Sequence, residues 1–286
     1  MRLGDDDDRS NVEDRRGMGL GGAGARLGLG GTLVLLVLSV VFKQDLFALV
    51  GGAPQDPAAA AAAPGGHATG ARAEAEVRLE RVAVASFNDV QRTWSERLGR
   101  TATGYPDAKL VLFWDEVRSG CGEAAAEMGP FYCPVDQRVY LDLGFYRELA
   151  SRFGAPGEFA QAYVIAHEVG HHVQHLLGLD ERVRAAQARH PQQRNALSVR
   201  LELQADCLAG VWGHAAQRRG LLEPGDLESG LGAAAAIGDD RLQRQAGRRV
   251  APETFTHGSS AERVRWFRRG FDGGDPAACD TFAAAR

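Results

Sequence analysis

The stretch Ala162-Tyr163-Val164-Ile165-Ala166-His167-Glu168-Val169-Gly170-His171 carries the pattern H-E-x-x-H. On a helix, positions four apart share a face, with about 5–6 Å between Cβ atoms, so His167 and His171 can converge on one metal ion. Glu168, one step round, reaches a water at that metal without being a ligand, which is the place of a general base in hydrolysis. The flanks Tyr163, Val164, Ile165, Ala166 and Val169 are apolar. The histidines therefore start from a buried region, where each ring nitrogen needs a partner. With 8 histidines in 286 residues, a chance occurrence of the pattern has a probability on the order of one per cent, so the rest of the site has to be found.

A catalytic zinc site wants three protein ligands and an open position. A third histidine downstream is excluded: Leu177 stands where the metzincin pattern would place it, and Gln174 stands where that pattern has glycine. The inverted order H-x-x-E-H is absent. What remains is a carboxylate from a second helix, and Glu202 in Leu201-Glu202-Leu203-Gln204-Ala205-Asp206 is the candidate. Asp206, four residues on, shares its face and can accept the remaining N–H of a ligating imidazole, that of His167, fixing its tautomer. The apolar neighbours Leu201, Leu203, Ala205 and Leu208 weigh against an exposed acidic face.

Each other histidine has a reading. His172 points about 100° away from His171 and reads as a polar neighbour. His175 could pair with His171 at i,i+4, but without an intervening Glu. His190 and His214 read as surface residues, and His67 as incidental. His257, in Thr256-His257-Gly258-Ser259-Ser260, could donate to a developing oxyanion; a loop histidine with a structural bond is the equal alternative.

Hydrophobic spacing predicts the elements that must hold these groups. Residues 158–177 form the motif helix, with Gly178 as C-cap, and 191–219 form a long helix whose apolar face includes Leu197, Leu201, Ala205, Leu208 and Trp212. Further helices are predicted at 82–98, 145–153, 180–189, 224–237 and 260–269. Strands are predicted at 109–115 and 138–143, with a Gly-rich loop at 119–134. The class is α+β, mainly helical with a small sheet. The strand at 138–143 could pair with an extended substrate.

The chain is 44% hydrophobic with a net charge of −4, which gives no case for nucleic acid. Residues 1–26, polar and Gly-rich with an acidic run at 5–8, read as a disordered cytoplasmic tail. Residues 27–42 are uncharged and apolar, and with flanking residues to 50 they read as a single transmembrane anchor. Arg9, Arg15, Arg16 and Arg26 precede it and only Lys43 follows closely, so the positive-inside rule places the N-terminus in the cytoplasm and the catalytic domain outside. A cleaved signal peptide is the competing reading. Residues 51–76 read as an Ala/Pro/Gly linker, and 77–286 as the domain that carries the motif, expected to be a zinc metallopeptidase domain. Four cysteines without a C-x-x-C pair suit two disulfides in an exported chain. Of three possible connectivities we favour Cys121–Cys133, closing a short loop, and Cys207–Cys279, tying down the C-terminal tail.

Ser119-Gly120-Cys121-Gly122, Gly129-Pro130-Phe131-Tyr132-Cys133-Pro134, and the stretches 167–174, 202–212, 257–267 and 274–282 together resemble the bacterial neutral zinc metallopeptidase family, a membrane-anchored group of the zincin type. The resemblance runs from the Gly-rich N-terminus to the end of the chain. It implies a metallopeptidase-like, zincin-like fold and bound Zn2+, and its cysteine pattern agrees with the pairing above. The expectation is a membrane-anchored peptidase acting on a peptide or protein substrate. Zinc would be held by His167, His171 and Glu202, with Glu168 as general base to a metal-activated water. The alternative is a non-catalytic envelope module of the same fold; an open coordination position and Glu168 argue against it.

Overall fold

The structure is a computed structural model and describes residues 1–3, 7–17, 71–99, 104–125 and 129–283. The unit that carries the site is assembled from two parts of the chain, Met1–Gly19 and Glu74–Arg286, with Leu20–Ala73 as a separate unit. The anchor expected at 27–50 lies outside the described residues, as does the linker up to 70. Among the described residues no helix is long and apolar enough to cross a membrane.

A short strand near the chain start, β1 (Val12–Asp14), is followed by the long helix α1 (Ala71–Leu98). Strands β2 (Lys109–Phe113), β3 (Glu116–Ser119), β4 (Gly122–Ala125), β5 (Phe131–Cys133) and β6 (Arg138–Asp142) come next. The main sheet has the order β1-β2-β6-β5. β1 and β6 run parallel to β2, with Val12 opposite Leu110 and Leu110 opposite Val139, and β5 is antiparallel to β6. β2 is apolar along Leu110 to Phe113 because both its faces are covered. Leu110, Leu112, Val139 and Leu141 point into the main core. Val111, Phe113 and Tyr140 point the other way, into a smaller cluster with Val117 and Ala124 of the antiparallel β3–β4 hairpin.

The helical part follows: α2 (Gly144–Ser151), α3 (Glu158–Leu176), α4 (Leu179–Arg189), α5 (Arg194–Arg218), α6 (Asp226–Ala236), α7 (Asp239–Gln245) and α8 (Ser260–Gly273). α5 and α8 cross in backbone contact. A Cβ at Gly210 would lie 2.0 Å from Phe267 O, and one at Gly270 would lie 1.9 Å from Cys207 O. Side chains at either position would push the helices apart. Phe159 and Trp212 stack at 5.5 Å between α3 and α5. The class is α+β, mainly helical with small sheets. Both disulfides, Cys121–Cys133 and Cys207–Cys279, pair as favoured.

Four expectations are corrected. Residues 1–26 were expected as a disordered tail, yet β1 lies in the sheet, because its backbone pairs with β2 and its charges find partners. Residues 71–76, assigned to the linker, begin α1. The 119–134 loop contains β4 and β5, and β3 ends at its first residue. Finally, β6 is flanked by β2 and β5, so it has no free edge for a substrate; the edge strands are β1 and β5.

Candidate metal centre

α3 brings the two histidines of its motif onto one face and buries most of that face. Gly170 is what lets α5 approach: a Cβ there would lie 3.1 Å from Ala205 O. The close approach sets Glu202 against the histidine pair. Glu202 Oε2 is 3.1 Å from His167 Nε2, and its Oε1 is 3.5 Å from His171 Nε2. The two rings are perpendicular, with centroids 4.9 Å apart. Ligand atoms of these three residues all lie within 4.8 Å of one another, the one such cluster among the described residues.

The back of each ring fixes its tautomer. His167 Nδ1 faces Asp206 Oδ1 at 2.9 Å, and His171 Nδ1 faces the Gln174 Oε1 at 2.8 Å. Both partners accept, so each Nδ1 donates and each neutral ring is left with a lone pair on Nε2. Two lone pairs and a carboxylate then point at one another, an arrangement that needs positive charge between them. Burial by itself lowers the proton affinity of His167, but Asp206 and Glu202 outweigh it and hold its pKa up at about 10. His171 is likewise raised, Glu202 outweighing burial. Burial would raise Glu202, but His171 and His167 draw it well below the carboxylate range. Two imidazole nitrogens and one carboxylate fit a zinc ion with an open position.

Asp206 is itself gripped. Arg263 on α8 donates to it through Nε (2.8 Å) and Nη2 (2.9 Å), and the Tyr163 hydroxyl donates at 2.5 Å. Asp206 and Arg263 are 0% and 2% exposed, so each charge depends on the other. Gln174 donates to Leu201 O (2.7 Å) and to Gln204 Oε1 (3.0 Å), and Gln204 donates to Cys279 O at 3.0 Å. The second disulfide and the C-terminal tail thus brace the helix that carries Glu202.

Glu168 lies beside the histidines in a cleft of about 640 Å³ whose walls include Tyr132, Phe145, Phe153, Leu201 and His257. Burial holds the Glu168 carboxyl above its ordinary range. His257 reaches the same cleft from the loop before α8. Asp239, at the start of α7, holds it: Nδ1 is 3.1 Å from Asp239 Oδ1, and the amides of Thr256, His257 and Gly258 donate to Oδ2 at 2.7, 2.7 and 3.0 Å. That bond, with Glu202 nearby, raises the imidazole pKa against burial.

The remaining histidines do other work. His172 is buried, its Nδ1 bonded to the Tyr132 hydroxyl (2.9 Å) and its Nε2 to Pro106 O (2.7 Å), which ties β5 to α3. His175 bonds Asp180 at 3.0 Å. His214, read as a surface residue, is half-buried and donates to Phe271 O at 2.7 Å. Sequence reasoning missed Arg263 and Asp239. Arg263 stands among Arg265, Arg268 and Arg269, but it alone shares a face with Phe267 and Gly270 at spacings of four and seven, the signal that would have set it apart. Asp239 follows Gly238 at a helix start, a place that suits an acidic side chain.

The model of the family described as Putative neutral zinc metallopeptidase matches residues 1–282. Uncharacterized protein YpfJ of Escherichia coli (strain K12) is 48% identical over 283 residues, covering 95% of each chain. Uncharacterized protein Rv2575 of Mycobacterium tuberculosis (strain ATCC 25618 / H37Rv) is 46% identical over 213 residues, covering 71% of this chain and 70% of the relative. No solved structure matches. On the family match and these identities, the chain belongs to the Putative neutral zinc metallopeptidase family.

Proposed function

We propose that this protein is a zinc-dependent peptidase of the zincin type, with the metal held by His167, His171 and Glu202. The observation that carries the reading is the convergence of three metal-binding side chains, with the buried carboxylate of Glu168 beside them in one cleft. Zinc, when bound, supplies Lewis acidity toward a scissile carbonyl and makes a water acidic near neutral pH. Glu168 takes the proton of the attacking water, for which its raised pKa suits it, and hands it to the leaving amine. His257, its Nδ1–H held by Asp239, which favours the doubly protonated ring, donates through Nε2–H to the oxygen on which charge develops. Asp206 keeps the His167 lone pair turned toward the ligand position. The edge strand β5, whose Phe131 and Tyr132 line the cleft, offers an extended peptide a strand to pair with. The Cys121–Cys133 disulfide ties the end of that strand to the β3–β4 turn. Two disulfides suit an oxidising, extracytoplasmic compartment, with membrane attachment through residues 27–50.

The test is Glu168→Gln. The variant should bind zinc as the wild type does and hydrolyse an unfolded protein about 10²–10⁴-fold more slowly. A zinc-loaded, folded variant that cleaves at the wild-type rate would remove Glu168 as the general base and overturn this mechanism.

A further inference from the structure

Residues on both sides of the apolar stretch 27–42 belong to one folded unit. On its N-terminal side, β1 is a strand of the main sheet. Leu110 N donates to Asn11 O and Arg15 N to Leu112 O, both at 2.8 Å. Glu13 accepts from Arg138 of β6 through Nε (3.1 Å) and Nη2 (3.0 Å). Arg16 donates to Glu80 of α1 at 2.6 Å, and Arg9 pairs with the same carboxylate. Arg2 reaches the turn after α5, through Leu221 O (2.7 Å) and Glu223 Oε1 (3.0 Å). Residues 1–3 and 7–17 therefore touch the sheet, α1 and the start of the α5–α6 loop.

A chain that crosses a bilayer once leaves its two flanks on opposite faces. One sheet cannot be built from both. The charge argument for a cytoplasmic N-terminus also weakens once the ion pairs are known. The positive-inside bias acts through Lys and Arg of short flanking segments, whereas folded domains take their side of the membrane largely regardless of charge, and these arginines belong to the folded unit. Arg9 is paired with Glu80, Arg15 with Glu13 at 2.7 Å, and Arg16 with Asp14 at 2.5 Å as well as Glu80. Only Arg26 before the stretch and Lys43 after it remain to be counted, and these balance.

We propose that the N-terminal segment 1–17 and the domain that carries the metal centre lie on the same, extracytoplasmic face of the membrane, so that the chain between them makes no single crossing. Residues 1–3 and 7–17 are then a structural part of the domain. This stands whatever bond the metal centre cleaves.

The test uses the full chain in bacterial spheroplasts. Asp7→Cys and Arg182→Cys each place a thiol at an exposed position, one in the N-terminal segment and one on α4, and all four native cysteines are in disulfides. A membrane-impermeant maleimide should label both variants to the same extent before permeabilisation. Labelling of Arg182→Cys before and of Asp7→Cys only after it, or the reverse, would overturn the proposal. Protection of both until permeabilisation would overturn the extracytoplasmic placing. A second pair tests the docking itself. Glu13→Arg should lower the unfolding midpoint of the purified full chain, and Arg138→Glu added to it should restore part of the loss. Strictly additive losses would remove β1 from the native sheet.

Discussion

His167 and His171 sit one helical turn apart, point at the same place, and are backed by different chemistry. Behind His167 stands a charged stack, Asp206 held by Arg263 and Tyr163, all fully buried. Behind His171 stands a neutral chain of amides, Gln174 to Gln204 to the Cys279 carbonyl. A carboxylate behind an imidazole both orients it and raises its basicity, whereas an amide only orients it. The charged side also carries a greater penalty when broken, because the surviving partner is stranded without water. The centre is therefore asymmetric. One histidine is tuned electrostatically through a helix, α8, that contributes none of the three converging side chains. The other is positioned through the C-terminal tail and its disulfide.

The largest effect should come from breaking the charged side. Asp206→Ala leaves Arg263 buried and unpaired, at a cost of about 3–5 kcal/mol, and it should lower zinc affinity by about 10–100-fold. Thermal unfolding and a competitive zinc titration measure the two. Gln174→Ala should cost less, about 1–3 kcal/mol for the polar groups left unsatisfied, with a loss of zinc affinity at the low end of the same range, ~10-fold. Equal losses in the two variants would erase the distinction between the sides. The smallest effect is in pH. Burial would raise the Asp206 carboxyl, but Arg263 and His167 draw it below its ordinary range. A depressed carboxylate contributes stability that is present above its unfolded pKa of about 3.9 and lost as pH falls through the folded value. Below about pH 4, acid unfolding should therefore be shallower in Asp206→Asn than in the wild type, and unchanged in slope in Gln174→Ala.

What could be read from the sequence was whatever repeats on a helix. His167, Glu168 and His171 stand at helical spacing, and so do Glu202 and Asp206, so α3 and α5 and the face each presents were legible before any coordinates. Arg263 was not, because its partner is 57 residues away and its neighbours are solvent-facing arginines. β1 was not, because Val12-Glu13-Asp14 is too short and too charged to show alternation; its stability comes from β2, Arg138 and Glu80, all distant in sequence. β5 was hidden by the glycines and prolines around it, and this moved the free sheet edge from β6 to β5. The cleft is accordingly lined by an edge strand that local pattern assigned to a loop.

The most direct measurement is the metal content of the full chain, taken with hydrolysis of an unfolded protein before and after chelation. About one zinc per chain is expected for a site of this ligand set, with cleavage that stops with chelator and recovers on adding zinc back. A folded chain that binds no zinc, or whose cleavage is indifferent to chelator, would contradict the zinc-dependent mechanism.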